Sequence, residues 1–235
     1  MDCSINMTQD KASEKRYDLI VWDWDGTIID STPTIVQCIQ QACRDLGFKE
    51  PDDSLASSVI GLGIHDSLRR AVPWIEPAYF PKLTERFRYH YLAKDHELHL
   101  FDGIRELLEG LRDDGYLLGV ATGKSRVGLD RSLEHHDLGH LFQETRTADE
   151  SFSKPHPGML LELSDATQVP MRRMLMIGDT THDLDMAANA GVDAVAVTYG
   201  AHPATTLHES SSLVHVNDVS ELSQWLKEHL THPPA

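Results

Sequence analysis

Asp23 and Asp25 stand two residues apart at the end of the apolar run Leu19-Ile20-Val21-Trp22, and Gly26 breaks the chain just after them. Residues two apart on an extended strand share a face, which places both carboxylates together while Trp24 turns to the other side. Such a pair suits phosphoryl transfer. One carboxylate attacks phosphorus; the other protonates the departing oxygen and later deprotonates water. A carboxylate approaches a phosphate dianion only when charge is neutralised, and Mg²⁺ suits that task because it takes oxygen ligands and keeps waters and a substrate phosphate. The remaining parts stand downstream. Thr122 and the Gly123 amide, in "ATGKS", can hydrogen-bond the transferring oxygens. Lys154, in "FSKPHPG", supplies a point charge, projected by an extended conformation before Pro155. Asp179 and Asp183, in "GDTTHD", supply further oxygens near a helix start.

Each cluster has an ordinary reading when taken singly. The first two aspartates can cap a turn, Lys154 can be a solvated loop lysine, and Asp179 with Asp183 can complement a helix dipole. What joins the clusters is the set of elements that carries them. Residues 19–22 show no polar alternation and read as a strand buried on both faces. "YLLGVAT" (116–122), "MLMIGD" (174–179), "DAVAVT" (193–198) and "SLVHV" (212–216) read as further strands. Helical stretches separate them, at about 125–135, 158–167, 181–189 and 220–230, with an amphipathic helix in "DGIRELLEGLRDDGY". Strands alternating with helices imply an α/β fold with a parallel, doubly wound sheet. Ligand crevices form at the C-terminal edge of such a sheet, and all four clusters fall there.

Between the first strand and about residue 100 the pattern is helical only. Ser31 or Thr32 can cap a helix with Pro33 in its first turn; Ile35, Val36, Ile39, Ala42, Cys43 and Leu46 recur at helical spacing, and Gly47 ends the run. The expected organisation is a catalytic α/β core over 17–31 and 101–230, an inserted α-helical cap over 32–100, and flexible termini at 1–16 and 231–235.

"DWDGTIIDS", "ATGKS", "SKP" and "GDTTHD" resemble, in order, the four motifs of the haloacid dehalogenase superfamily, and specifically its phosphoglycolate phosphatase-like members, over about Tyr17 to Leu230. The resemblance implies a Rossmann-like core with a helical cap inserted after the first motif. It implies Asp23 as nucleophile, Asp25 as acid and base, and Mg²⁺ held by Asp23, the Asp25 backbone carbonyl and Asp179, with Asp183 a direct or water-mediated support. "GLGIHDSL" (61–68) resembles the cap loop that faces the active site. Family members usually carry Phe where this chain has Trp24, which is expected to face away from the phosphate. The implied activity is Mg²⁺-dependent hydrolysis of a small phosphorylated metabolite through an aspartyl-phosphate. Two alternatives stay open. A sugar phosphomutase on the same scaffold tends to carry a basic cap-loop residue and a Ser-Ala-Ser second motif, where this chain has His65 and "ATGKS". A non-catalytic partner-binding protein would be signalled by loss of Asp23, Asp25 or Lys154, and all three are present.

Composition narrows the setting. A net charge of −16 over 235 residues argues against nucleic acid or an anionic membrane as partner, though not against a small anion bound beside a cation and a lysine. Cys3, Cys38 and Cys43 are odd in number and lack CxxC spacing, which fits reduced thiols in the cytoplasm. The opening residues lack the apolar core of a signal peptide, and no run spans a bilayer. The fourteen histidines are scattered without the spacing of a metal site. "GVATGKS" fails as a P-loop because its first Gly would fall at Leu118.

Overall fold

Four consecutive apolar residues need cover on both faces, and a central strand provides it. In the computed structural model, which describes residues 15–231, β1 (Leu19–Trp22) lies in the middle of a six-stranded sheet with all four residues buried. The others are β2 (Leu117–Thr122), β3 (Glu144–Thr147), β4 (Met174–Gly178), β5 (Asp193–Val197) and β6 (Val214–Val216), in the order β3-β2-β1-β4-β5-β6. Every neighbouring pair is parallel; Leu19 stands opposite Leu117 on one side and Met174 on the other. This is a Rossmann-like, doubly wound α/β fold.

Helices cover both faces, and the twofold alternation of strand side chains sorts the core into two clusters. Ile20, Trp22, Leu118, Val120, Ile177 and Val195 pack with residues such as Leu108, Leu129 and Leu222. Those come from the helices α5 (Ile104–Asp113), α6 (Arg126–His135) and α10 (Val219–His229). Leu19, Val21, Ala121, Met176 and Ala196 pack instead with Leu160, Leu163, Leu184 and Ala187. Those belong to α7 (Gly158–Thr167) and α8 (Thr181–Ala190). A short α9 (Ala204–Leu207) precedes β6.

Residues 32–94 form α1 (Thr32–Asp45), α2 (Asp53–Ser57), α3 (Ile64–Ala71) and α4 (Phe80–Lys94). They have an apolar cluster of their own, centred on Ile39, Ala42, Leu68 and Leu83, to which the sheet side adds Ala201. Gly47, at φ +72°, follows the end of α1 as its sequence position predicts. The expected cap at the start of α1 is different: Ser31 is in the capping position, but its hydroxyl donates to Asp25 Oδ1 at 2.7 Å and makes no cap bond.

Cys38 and Cys43 are buried and unbridged, and burial pushes both thiols up to about 11; Cys3 lies outside the described residues. The expected flexible ends fall mostly outside them as well. Where they are described, Lys15 bridges Thr231 and the Arg16 amide donates to Leu230 O at 2.8 Å, which ties the two ends together. No helix among the described residues is long and apolar enough to cross a membrane.

Candidate active site

Asp23 follows β1 and keeps one ladder bond, its amide donating to Ile177 O at 2.9 Å. That bond fixes the carboxylate at the C-terminal edge of the sheet, next to Asp179 at the end of β4. Lys154 bridges two carboxylates: its ammonium lies 2.7 Å from Asp23 Oδ1 and 2.5 Å from Asp183 Oδ1, and all three side chains are buried. Asp183 Oδ2 accepts from the Thr180 amide at 3.1 Å, which with the Thr180 side chain accepting from the Asp183 amide makes the capping box of α8, and it also accepts from the Thr180 hydroxyl at 2.7 Å. Asp179 accepts from the Thr27 hydroxyl and the Ala201 amide, each at 2.7 Å. A Cβ on Gly26 or on Gly200 would lie 2.2 Å from Asp179 Oδ2, so two glycines make room for this one carboxylate.

One oxygen from each of Asp23, Asp179 and Asp183 lies within 4.8 Å of the others. Three buried carboxylates thus lie together, and one ammonium pairs with two of them. Burial raises Asp23 well above the usual carboxylate range, with Asp183 and Asp179 adding to the rise and Lys154 opposing it. Burial also lifts Asp179 to about 7, helped by the charge of Asp183 and opposed by the Ala201 and Thr27 donors. Burial alone would lower the Lys154 ammonium; the charges of Asp183 and Asp23 outweigh it and hold that group up. Asp23 Oδ2 is buried and has no hydrogen-bond partner among the described residues. An orphaned carboxylate oxygen, in an all-oxygen cluster with excess negative charge, fits a hard divalent cation such as Mg²⁺.

Asp25 does not join this cluster. The face-sharing argument requires an extended strand through residue 25, but β1 ends at Trp22. Asp25 Oδ1 instead accepts from Ser31 and from the Lys124 ammonium at 3.0 Å. Lys124 also donates to the Tyr91 hydroxyl at 2.6 Å, a contact from α4 across to the sheet side. Lys124 stood in a quoted motif without a role, and Tyr91 gave no signal in the sequence at all. Thr27 stood in the first polar cluster, also without a role.

Thr122 is buried and its hydroxyl accepts from the Lys124 amide at 3.2 Å. Gly123 is overlain by the "GLGIHDSL" loop: a Cβ there would meet Leu62 O at 2.4 Å and Gly61 O at 2.6 Å. The same loop region is fastened by the Gly63 amide to Ser153 Oγ at 3.0 Å. Just before it, Ser58 O accepts from the Nε2 groups of His182 and His202 at 3.0 and 3.1 Å. The loop therefore lies over the sheet edge. The Lys154–Pro155 peptide is cis and sits in a turn.

Trp24 is buried on the side away from these carboxylates, its Nε1 donating to Ser132 Oγ at 3.0 Å and its ring edge-on to Phe142. Trp24→Phe removes that hydrogen bond and some ring area but nothing at the cluster. It should lower unfolding free energy by about 1–2 kcal/mol in urea while kcat is unchanged. A kcat loss beyond twofold would place Trp24 in the chemistry after all.

The sequence model of the haloacid dehalogenase-like hydrolases matches residues 20–197. The phosphoglycolate phosphatase of Aliivibrio fischeri is 31% identical over 201 residues, covering 82% of this chain and 88% of that protein. The tyrosine-protein kinase PtkA of Mycobacterium tuberculosis is 32% identical over 212 residues, covering 88% and 72%. Among solved structures, a "predicted phosphoglycolate phosphatase" from Haemophilus somnus superposes with a TM-score of 0.81 at 25% identity, over 89% of this chain and 98% of that one. The strand-end carboxylates, the buried lysine between them and these similarities agree, and the chain belongs to the haloacid dehalogenase-like hydrolases.

Proposed function

We propose that this hydrolase releases inorganic phosphate from a small phosphate monoester, with Asp23 as nucleophile and Mg²⁺ in the buried acidic cluster. The observation that carries the reading is the state of the Asp23 carboxylate. One oxygen is held by Lys154 and the other has no donor among the described residues, so the group is oriented without being used up. Asp23 attacks phosphorus, the bond to the ester oxygen breaks, and Asp25 gives that oxygen a proton. Asp25 then takes a proton from a water that attacks the aspartyl-phosphate at phosphorus, freeing phosphate and Asp23. Thr122 and the Gly123 amide hold the transferring oxygens, and Lys154 offsets their charge. Asp23, Asp179, Asp183 and the Asp25 backbone carbonyl would hold Mg²⁺, which supplies charge neutralisation as the carboxylate meets the phosphate. The "GLGIHDSL" loop over Gly123 keeps bulk water from the intermediate. The phosphoglycolate phosphatase names among the relatives agree with this chemistry.

A phosphomutase reading has one observation in its favour. His65 is exposed on the cap loop, but Arg88 of α4 also borders the cavity beside Asp25, so the loop alone understates the available positive charge. Products separate the readings. In ¹⁸O-water with Mg²⁺ and a panel of phosphate esters, inorganic phosphate should appear carrying solvent oxygen while Asp23 stays unlabelled. Isomerised sugar phosphate without phosphate release, or label in Asp23, would sink the proposal.

The metal makes its own prediction. Chelator should abolish turnover, Mg²⁺ restore it, and Ca²⁺ oppose Mg²⁺, because Ca²⁺ takes more ligands in looser geometry and misplaces Asp23. Full activity in chelator would overturn the assignment of the acidic cluster.

A further inference from the structure

A cavity of about 420 Å³ opens beside Asp25, between α1, α4 and the residues Gly123 and Lys124. Its size falls within the ~300–1,000 Å³ of small-molecule sites. Much of its wall is apolar: Ile35 and Ile39 from α1, Ile60 just before the loop, and Phe87 and Leu92 from α4. Leu92 is 50% exposed and Val127, also on the lining, is 72% exposed, so large apolar side chains are kept in water at this opening.

Most of the charge along the lining is already satisfied. Lys124 is paired with Asp25, and Arg131 with Asp95 at 2.5 Å. Asp149 accepts from the Arg126 amide and the Thr147 hydroxyl. Arg88 has no carboxylate partner among the described residues, and it is exposed. Asp25, the group assigned to the leaving oxygen, borders this same cavity. The alcohol half of the substrate must therefore enter it. Glycolate brings one methylene and one carboxylate. Even with its charge at Arg88, it would leave most of the space and the apolar wall unfilled.

We propose that the substrate is the phosphate monoester of an apolar alcohol larger than glycolate, with its carbon skeleton in this cavity. The inference rests on the phosphatase reading above. The bond balance is that of the two steps already given: the phosphorus–oxygen bond to the alcohol breaks as the Asp23–phosphorus bond forms, and the alcohol leaves with the Asp25 proton. Water oxygen then replaces Asp23 on phosphorus and returns its proton to Asp25.

The test is a chain-length series of n-alkyl phosphates from methyl to hexyl, compared with phosphoglycolate, in Mg²⁺. Their leaving alcohols have nearly equal acidity, so the slope reports the cavity. Each methylene should raise kcat/KM about fourfold until the cavity is full, the factor for moving one methylene out of water, and butyl phosphate should exceed phosphoglycolate. The n-alkylphosphonates, which are not hydrolysed, should show the same slope in binding by calorimetry. Phe87→Ala and the half-exposed Leu92→Asn, which is placed to leave folding intact, should flatten both slopes. A flat series with phosphoglycolate fastest would overturn the inference and leave the phosphatase reading standing. A rising phosphonate series with no ester hydrolysed would uphold the cavity assignment and sink the phosphatase reading.

Discussion

Asp23→Asn removes turnover by about 10⁴-fold or more, the scale seen when a nucleophile is taken from an otherwise complete site. The amide is nearly isosteric and a poor nucleophile, and its oxygen can still accept from Lys154 at the position of Oδ1. The substitution also removes one of three neighbouring buried carboxylates, so the metal-free chain should be no less stable than the parent. The check is a pair of measurements on one preparation, single-turnover phosphate release and thermal unfolding. Retention of more than a few per cent of activity in a folded, undeamidated sample would defeat the assignment of Asp23.

Lys154→Met carries the second large effect, and it acts on stability as well as rate. The ammonium is the shared partner of Asp23 and Asp183 in a site closed to solvent. Removing one partner of a buried ion pair leaves uncompensated charge and costs about 3–5 kcal/mol. Loss of a charge aimed at the transferring group should also lower kcat by about 10²–10³-fold. Mg²⁺ should return part of the lost stability, because a cation that binds only the folded chain shifts the equilibrium toward it. Urea unfolding with and without Mg²⁺ reads both effects. A loss under about 1 kcal/mol, unmoved by Mg²⁺, would mean the three carboxylates do not depend on Lys154.

The sequence revealed the parts of this molecule that obey local rules. Buried strands announce themselves as short apolar runs, and five of the six did so. β3 did not, because "ETRT" has no apolar residue; its partly exposed side chains are matched by ion pairs, Arg146 meeting Glu144 and Glu162. The four polar clusters were legible because each lies at the end of a strand or the start of a helix, where residue type and position carry the signal. What stayed hidden was set by contacts between distant segments. Nothing near Tyr91 says that its hydroxyl reaches Lys124, and nothing near Ser31 says that its hydroxyl turns from the helix to Asp25. Gly200 was equally silent, since its reason for being glycine is the Asp179 carboxylate pressed against it.

The central place of β1 in the sheet bears on how the chain is made. The strand leaves the ribosome well before its partners, which begin at Leu117 and Met174. At about 5–20 residues per second, on the order of ten seconds pass before even the first partner has been synthesised. During that wait the next segment to emerge is helical, and α1 packs against α4 without needing the sheet. Helices α1 to α4 can therefore collapse on one another while the strand that leads to Asp23 still has both edges bare. An apolar strand with open edges is the part of a nascent chain most prone to wrong pairing. Translation speed through residues 23–117, or chaperone occupancy over that window, should then govern the yield of folded enzyme more than any substitution in the finished core.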